Sequence, residues 1–208
     1  MKLGTLSNIN KLSFSKDIRN DISIFWLEAS GRGIESRVIT PLMHKHSFFE
    51  LHIILDGQVD CCLENNKLVL GKDSFILLAP NIMHQIVPSE KGFIRISITF
   101  LTEAGTHIDK MLSAKSYITG HIDNSIKGAI EGIADNVAQS GHYTEILCAN
   151  KIFEIIHSVA KGSHFSAPIF NNQRPVNDYL EKAKKYILDN SHLFLNCEEV
   201  AAYCHISP

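Results

Sequence analysis

The chain has 208 residues, 45% of them hydrophobic, which is enough to bury a real core and excludes a disordered polymer. Lys and Arg number 20 against 22 Asp and Glu, and the signs do not segregate: residues 1–110 hold 12 of each, residues 111–208 hold 8 basic and 10 acidic. No basic face is expected, which argues against tight binding of nucleic acid or an anionic membrane by these residues alone.

The N-terminal "MKLGTLSNINKLSFSKD" lacks the apolar run of a signal peptide, and no later stretch is long and apolar enough to span a bilayer. The five cysteines are odd in number, and Cys61 and Cys62 are neighbours that point to opposite faces of a strand, a poor arrangement for bridging. Reduced thiols, a cytoplasmic location and no membrane partner are therefore expected.

From residue 22 to 101 the chain reads as short apolar or alternating runs separated by turn residues: "ISIFWLEA", "ELHIILDG", "VDCCLE", "KLVLG", "SFILLAP", "HQIVP" and "FIRISITFL". The segments "ENNK" at 64–67 and "SEKG" at 89–92 carry turn chemistry. This pattern predicts an antiparallel β-barrel built of hairpins.

After Leu101 the period changes. Ile122, Ile126, Ala129, Ile130, Ile133 and Val137 fall at helical spacing, as do Tyr143, Ile146, Leu147, Phe153, Ile156 and Ala160, with a break at Gly141. Two helices packed as an antiparallel hairpin are expected, and Ile146, Leu147, Phe153 and Ile156 are candidates for pairing with a second copy. Gly, Ser, Pro and Asn in "GSHFSAPIFNNQR", 162–174, read as a linker. Pro175 then opens a helix with a stripe of Val176, Tyr179, Leu180, Ala183, Tyr186 and Ile187, and Asn196 with Glu199 forms a capping box for a further helix. Ser207 and Pro208, a helix cap and a first-turn residue, start one more.

The densest cluster of potential ligands is "HKHSFFELHIILDG", 44–57. On an extended strand His44, His46 and Glu50 share parity, His52 continues it, and His84 enters from "APNIMHQ". Three imidazoles and a carboxylate suit a divalent metal with open positions for water or substrate. The same residues also suit hydrogen bonding among themselves, or a pocket for a small polar ligand at a barrel mouth. In "GFIRISITF" the residues Phe93, Arg95, Ser97 and Thr99 alternate with Ile94, Ile96, Ile98 and Phe100. The polar set reads as a solvated face, with Arg95 placed to clamp a carboxylate or phosphate if that face is a pocket. Trp26, the single tryptophan, reads as a packing residue, with closure of such a pocket as the alternative.

His44 to Gly57 resembles the first cupin motif, and "GKDSFILLAPNIMH", Gly71 to His84, resembles a variant of the second. Val38 stands where the first motif has glycine, and "NIM" and Pro88 depart from the second. These departures resemble the sensor domain of AraC-type transcription regulators. The stretch "YLEKAKKYILDNSHLFLNCEEVAAYCHISP", 179–208, is similar to that family's linker-proximal helix and the opening of its first helix-turn-helix. The resemblance implies an α+β chain: an antiparallel cupin-like β-barrel at 1–105 that binds a small-molecule effector, a helical dimerisation region at 106–162, a linker at 163–175, and an incomplete helix-turn-helix domain at 176–208. Asn196, Glu199, Val200, Ala201, Ser207 and Pro208 belong to its start, and the recognition helix is missing. His44, His46, Glu50, His52, His84 and Arg95 become the candidate effector site, without catalytic residues and without a required cofactor. A homodimer is implied, which contacts promoter DNA only through a complete C-terminal domain. The alternative is a metal-dependent cupin enzyme that uses His44, His46, Glu50 and His84.

Overall fold

The computed structural model describes residues 3–12, 17–19, 21–34, 42–139, 141 and 143–161, and further along 183–187, 189, 190, 199, 200 and 203. Two compact units divide the chain, residues 1–170 and 171–208. In the first, the order is α1 (Leu3–Ile9), β1 (Asp17–Arg19), β2 (Ile22–Gly31), β3 (Phe49–Leu63), β4 (Asn66–Gly71), β5 (Ser74–Leu78), β6 (His84–Thr102), α2 (His107–Ser113), β7 (Tyr117–His121), α3 (Asn124–Gln139) and α4 (Thr144–Lys161).

All strand pairs are antiparallel, in the order β1-β2-β6-β3-β5-β7 with β4 added on β3. The sheet is cupin-like in its strand content, but among the described residues its edges β1 and β7 do not pair, so hydrogen bonds do not close the expected barrel. Two expected breaks are also absent. "ELHIILDG" and "VDCCLE" form one strand, β3, and "HQIVP" and "FIRISITFL" form one strand, β6, so "SEKG" lies within a strand. The glycines there bend the ladder instead of ending it: Gly57 and Gly92 have φ of 72° and 78°, and the β3–β6 register shifts on either side of Gly57.

Alternation along the central strands sorts side chains between two interiors. Phe49, Leu51 and Ile53 of β3 and Ile96, Ile98 and Phe100 of β6 enter a large core shared with Leu6 and Ile9 of α1 and the apolar stripes of α3 and α4. Ile54, Val59, Cys61, Leu70, Ile76, Leu78 and Ile86 form a second, smaller cluster. The even-numbered residues of β3 and the odd-numbered residues of β6 between these cores face a cavity.

Helices α3 and α4 form the expected hairpin, antiparallel because Ser125 meets Ser158 while Cys148 meets Ile133. Asp123 caps α3 through Oδ1, which accepts from the Ile126 N–H at 2.8 Å. Phe153 and Ile156 lie in the chain's own core, at 6% and 1% exposure, whereas Ile146 and Leu147 stand out at 43% and 46%. The 106–162 region is not wholly helical, since β7 pairs with β5. Asn10 after α1 docks on the free edge of β2: its amide nitrogen donates to the Ala29 carbonyl and its oxygen accepts from the Ala29 N–H.

In the second unit residues 183–187, 199 and 200 are helical, and the rings of Tyr186 and Tyr203 stack at 4.3 Å. Glu199 and Val200 thus lie in a helix as expected, while the linker at 163–175 and Asn196, Ala201, Ser207 and Pro208 lie outside the described residues. No described helix is long and apolar enough to cross a membrane.

A Cβ at Gly57 would collide with the Gly92 carbonyl oxygen in a backbone region that disfavours side chains, whereas one at Gly71 meets nothing. Gly57→Ala is therefore expected to cost about 3 kcal/mol and Gly71→Ala less than about 0.5 kcal/mol, read from urea denaturation midpoints.

Candidate functional site

Three adjacent strands build the floor of the cavity. Register pairs Trp26 with Thr99 and Thr99 with Glu50, Glu28 with Ser97 and Ser97 with His52, and Ser30 with Arg95 and Arg95 with Ile54. All of these side chains except Ser30 and Ile54 line a cavity of about 390 Å³, and His44, His46 and His84 complete one end. The size is that of a small-molecule site. Phe25, Phe48 and Ile86 add apolar wall, with Phe25 and Phe48 edge to face at 4.9 Å.

The six predicted effector residues, His44, His46, Glu50, His52, His84 and Arg95, all line this one cavity. The route differs from the shared strand parity read in the sequence. β3 begins only at Phe49, so His44 and His46 sit on the preceding loop. Reciprocal backbone bonds between His44 and His84, at 2.9 and 2.8 Å, hold that loop against the start of β6.

Each of these imidazoles is pinned by its own backbone. Nδ1 of His44, His46 and His84 lies 3.0, 2.9 and 2.8 Å from the carbonyl oxygens of Leu42, Phe48 and Ile82. A carbonyl only accepts, so Nδ1 carries the hydrogen and the Nε2 of a neutral ring carries a lone pair. His46 also stacks on Phe48, ring centres 3.8 Å apart.

Glu50 is the hub. His46 Nε2 and His84 Nε2 approach its Oε2 at 2.9 and 3.0 Å, and the Ser97 hydroxyl donates to Oε1 at 3.3 Å. Burial opposes ionisation of Glu50, but the imidazoles gathered around it outweigh burial and hold the carboxyl well below its usual range. Lone pairs of Nε2 aimed at a carboxylate repel it unless a proton or a cation lies between. The donor atoms of His44, His46, Glu50 and His84 all lie within 4.8 Å of one another, and backbone bonds at Nδ1 are the second contacts that orient imidazole ligands. This donor set fits a divalent transition metal.

Other groups on the floor, Thr99 opposite Glu50, His52 one row on and Arg95 at the far end, are short of partners. His52 is 2% exposed; its Nε2 comes no closer than 3.5 Å to Glu50 Oε2, and neither ring nitrogen makes a hydrogen bond. Desolvation keeps this ring neutral by lowering its pKa. The buried hydroxyl of Thr99 also has no hydrogen-bond partner. Arg95 donates from Nε to Ser30 Oγ at 3.1 Å and lies over the Phe93 ring at 5.7 Å. Desolvation lowers its pKa and Glu50 and Glu28 raise it, and a guanidinium starts so high that it remains charged.

The polar face of β6, expected to be solvated, is thus an interior face: Ser97 and Thr99 are buried because β2 and β3 flank them and the cavity lies above. Trp26, expected to pack, with pocket closure as the alternative, lines the cavity. The 93–99 alternation in the sequence was sufficient to group Ser97 and Thr99 with Arg95. Phe25 was hidden, because a register shift between Ile24 and Trp26 lets both Phe25 and Trp26 reach the same cavity.

Residues 29–141 match the family described as the AraC-like ligand binding domain. Among solved structures, ToxT from Vibrio cholerae is 11% identical with a TM-score of 0.45, covering 91% of this chain and 71% of its own. The AraC-like transcriptional activator CuxR is 12% identical with a TM-score of 0.45, covering 89% and 65%. A cupin 2 conserved barrel domain protein from Salinispora arenicola is 16% identical with a TM-score of 0.32, covering 42% and 70%. No curated protein matches the chain.

An imidazole buried without a partner costs stability in the unliganded protein. His52→Leu is expected to raise unfolding free energy by about 1 kcal/mol, measured by urea denaturation without added ligand. A clear loss of stability would show that the ring contributes to the unliganded fold.

Proposed function

The chain belongs to the AraC-like ligand-binding family, and from that membership we propose that it is the effector-sensing part of an AraC-type transcription regulator, with the cavity between β2, β6, β3 and the 42–48 loop as its effector site. The observation that carries this reading is the pair of buried, unpartnered polar groups, His52 and Thr99, at the floor of that cavity. Buried polar groups are normally hydrogen-bonded, and a molecule bound in the cavity supplies the partners that His52 and Thr99 lack within the chain. The cavity lies on one side of the central strands and the core shared with α3 and α4 on the other, so an effector that favours one arrangement of the strands biases the helices as well.

Two copies pair, in this reading, through the exposed start of α4, where Tyr143, Ile146 and Leu147 stand 70%, 43% and 46% accessible. Promoter DNA is contacted by helix-turn-helix segments to which residues 176–208 contribute. Trp26 supplies the assay, because the single tryptophan lines the cavity. An effector at one hundred times its Kd is expected to change Trp26 emission and stabilise the fold by about 2.7 kcal/mol. A broad metabolite screen in which no compound changes emission or melting temperature would overturn the sensor reading.

The four-donor cluster favours a second reading, a metal-dependent cupin enzyme in which His44, His46, Glu50 and His84 hold the ion. When bound, the ion supplies Lewis acidity at the cavity wall. On this reading, protein prepared without chelator carries close to one equivalent of zinc, manganese, iron or nickel by elemental analysis, and His46→Ala carries almost none. Equal trace metal in both proteins would remove it.

A further inference from the structure

Arg95 is a half-buried charged side chain, and its close partners are a neutral hydroxyl and an aromatic ring. Among the described residues no carboxylate lies within ion-pair distance of it. Buried charges are normally paired, so the place of an anion is open beside Arg95. The carboxylates of Glu50 and Glu28 line the same cavity and attract the guanidinium, but neither comes within ion-pair distance, Glu50 being held at His46, His84 and Ser97.

We propose that the effector is a small organic acid with an apolar body: its carboxylate pairs with Arg95, and a second polar atom reaches His52 and Thr99. This inference rests on the sensor reading and adds the chemical class of the effector. Register sets the geometry. Arg95 and Thr99 lie on the same face of β6 four residues apart, about 13 Å along the strand, and His52 stands opposite Ser97 midway between them.

The lone guanidinium sets the class of anion, since its fork matches a carboxylate in bidentate fashion. Neutral His52 offers one donor and one acceptor, and Thr99 offers both, so a hydroxyl or carbonyl satisfies either. Phe25, Trp26, Phe48 and Ile86 give the rest of the wall, beside the carboxylates and the histidine cluster, enough apolar surface for an apolar body.

The test uses the whole chain and matched probes: benzoate, 4-hydroxybenzoate and octanoate, each beside its primary amide, titrated by Trp26 fluorescence and calorimetry. The expected result is that at least one acid binds about tenfold or more tightly than its amide. In Arg95→Gln that acid falls to the affinity of the amide, and Arg95→Lys, which keeps the charge but not the fork, lies between. Should Arg95→Gln fail to fold, the acid-to-amide ratio of the wild type and of Arg95→Lys still decides. An amide that equals its acid, a preference that survives Arg95→Gln, or a set of acids none of which binds would overturn the proposal. Neutral compounds found in a broad screen to shift Trp26 emission would then leave the sensor reading standing; no binder of any kind would remove both.

Discussion

Strand β3 has two buried faces, and the structure is organised around that constraint. Flanked by β6 on one side and by β5 and β4 on the other, it sends Phe49, Leu51 and Ile53 into the core beneath the helices. Glu50 and His52 must then point to the opposite side, among other interior groups. A carboxylate is tolerated there only with donors or a cation around it: the Ser97 hydroxyl donates to it, and the Nε2 atoms of His46 and His84 stand 2.9 and 3.0 Å away, where a proton or a cation completes the contact. The bend of β3 and β6 at Gly57 and Gly92 lets one strand pair serve both the helix-covered core and the second apolar cluster.

The consequence is a cavity with two chemically different parts. At one end the imidazoles of His44, His46 and His84 are fixed by their own backbone carbonyls, so their Nε2 atoms are oriented before anything binds. Along the floor from Thr99, opposite Glu50, through His52 to Arg95, polar groups are left with less than a full set of partners. Such groups lower the stability of the unliganded fold and raise the gain when a complementary molecule arrives. An arrangement of this kind serves sensing, where the difference between liganded and unliganded states is what matters.

The cavity and the helix-covered core share strands. Leu27 and Ala29 of β2 lie in the large core while Trp26 and Glu28 line the cavity. Asn10, just beyond α1, closes the free edge of β2 at Ala29, so the strand under the cavity is tied to a helix that packs on α3. A shift of β2 on ligand binding would be felt by both.

Local pattern made much of this legible. Strict alternation identified the strands, a helical period identified α3 and α4, and the spacing of His44, His46, Glu50, His52 and His84 with Arg95 marked residues that do meet. What the sequence determined by itself was therefore which residues share a face, because period is a property of the backbone and needs no partner. Only the tertiary structure decided which faces are interior. The polar face of β6 became a cavity floor because β2 and β3 close on it, Phe153 and Ile156 turned to the chain's own core, and "SEKG" became a bend because Gly57 across the ladder yields with Gly92. The loop that carries His44 and His46 to Glu50 is held by a bridge to His84 forty residues away, and β7 forms only because β5 offers it an edge. Each of these depends on a neighbour distant in the chain, which no local period encodes.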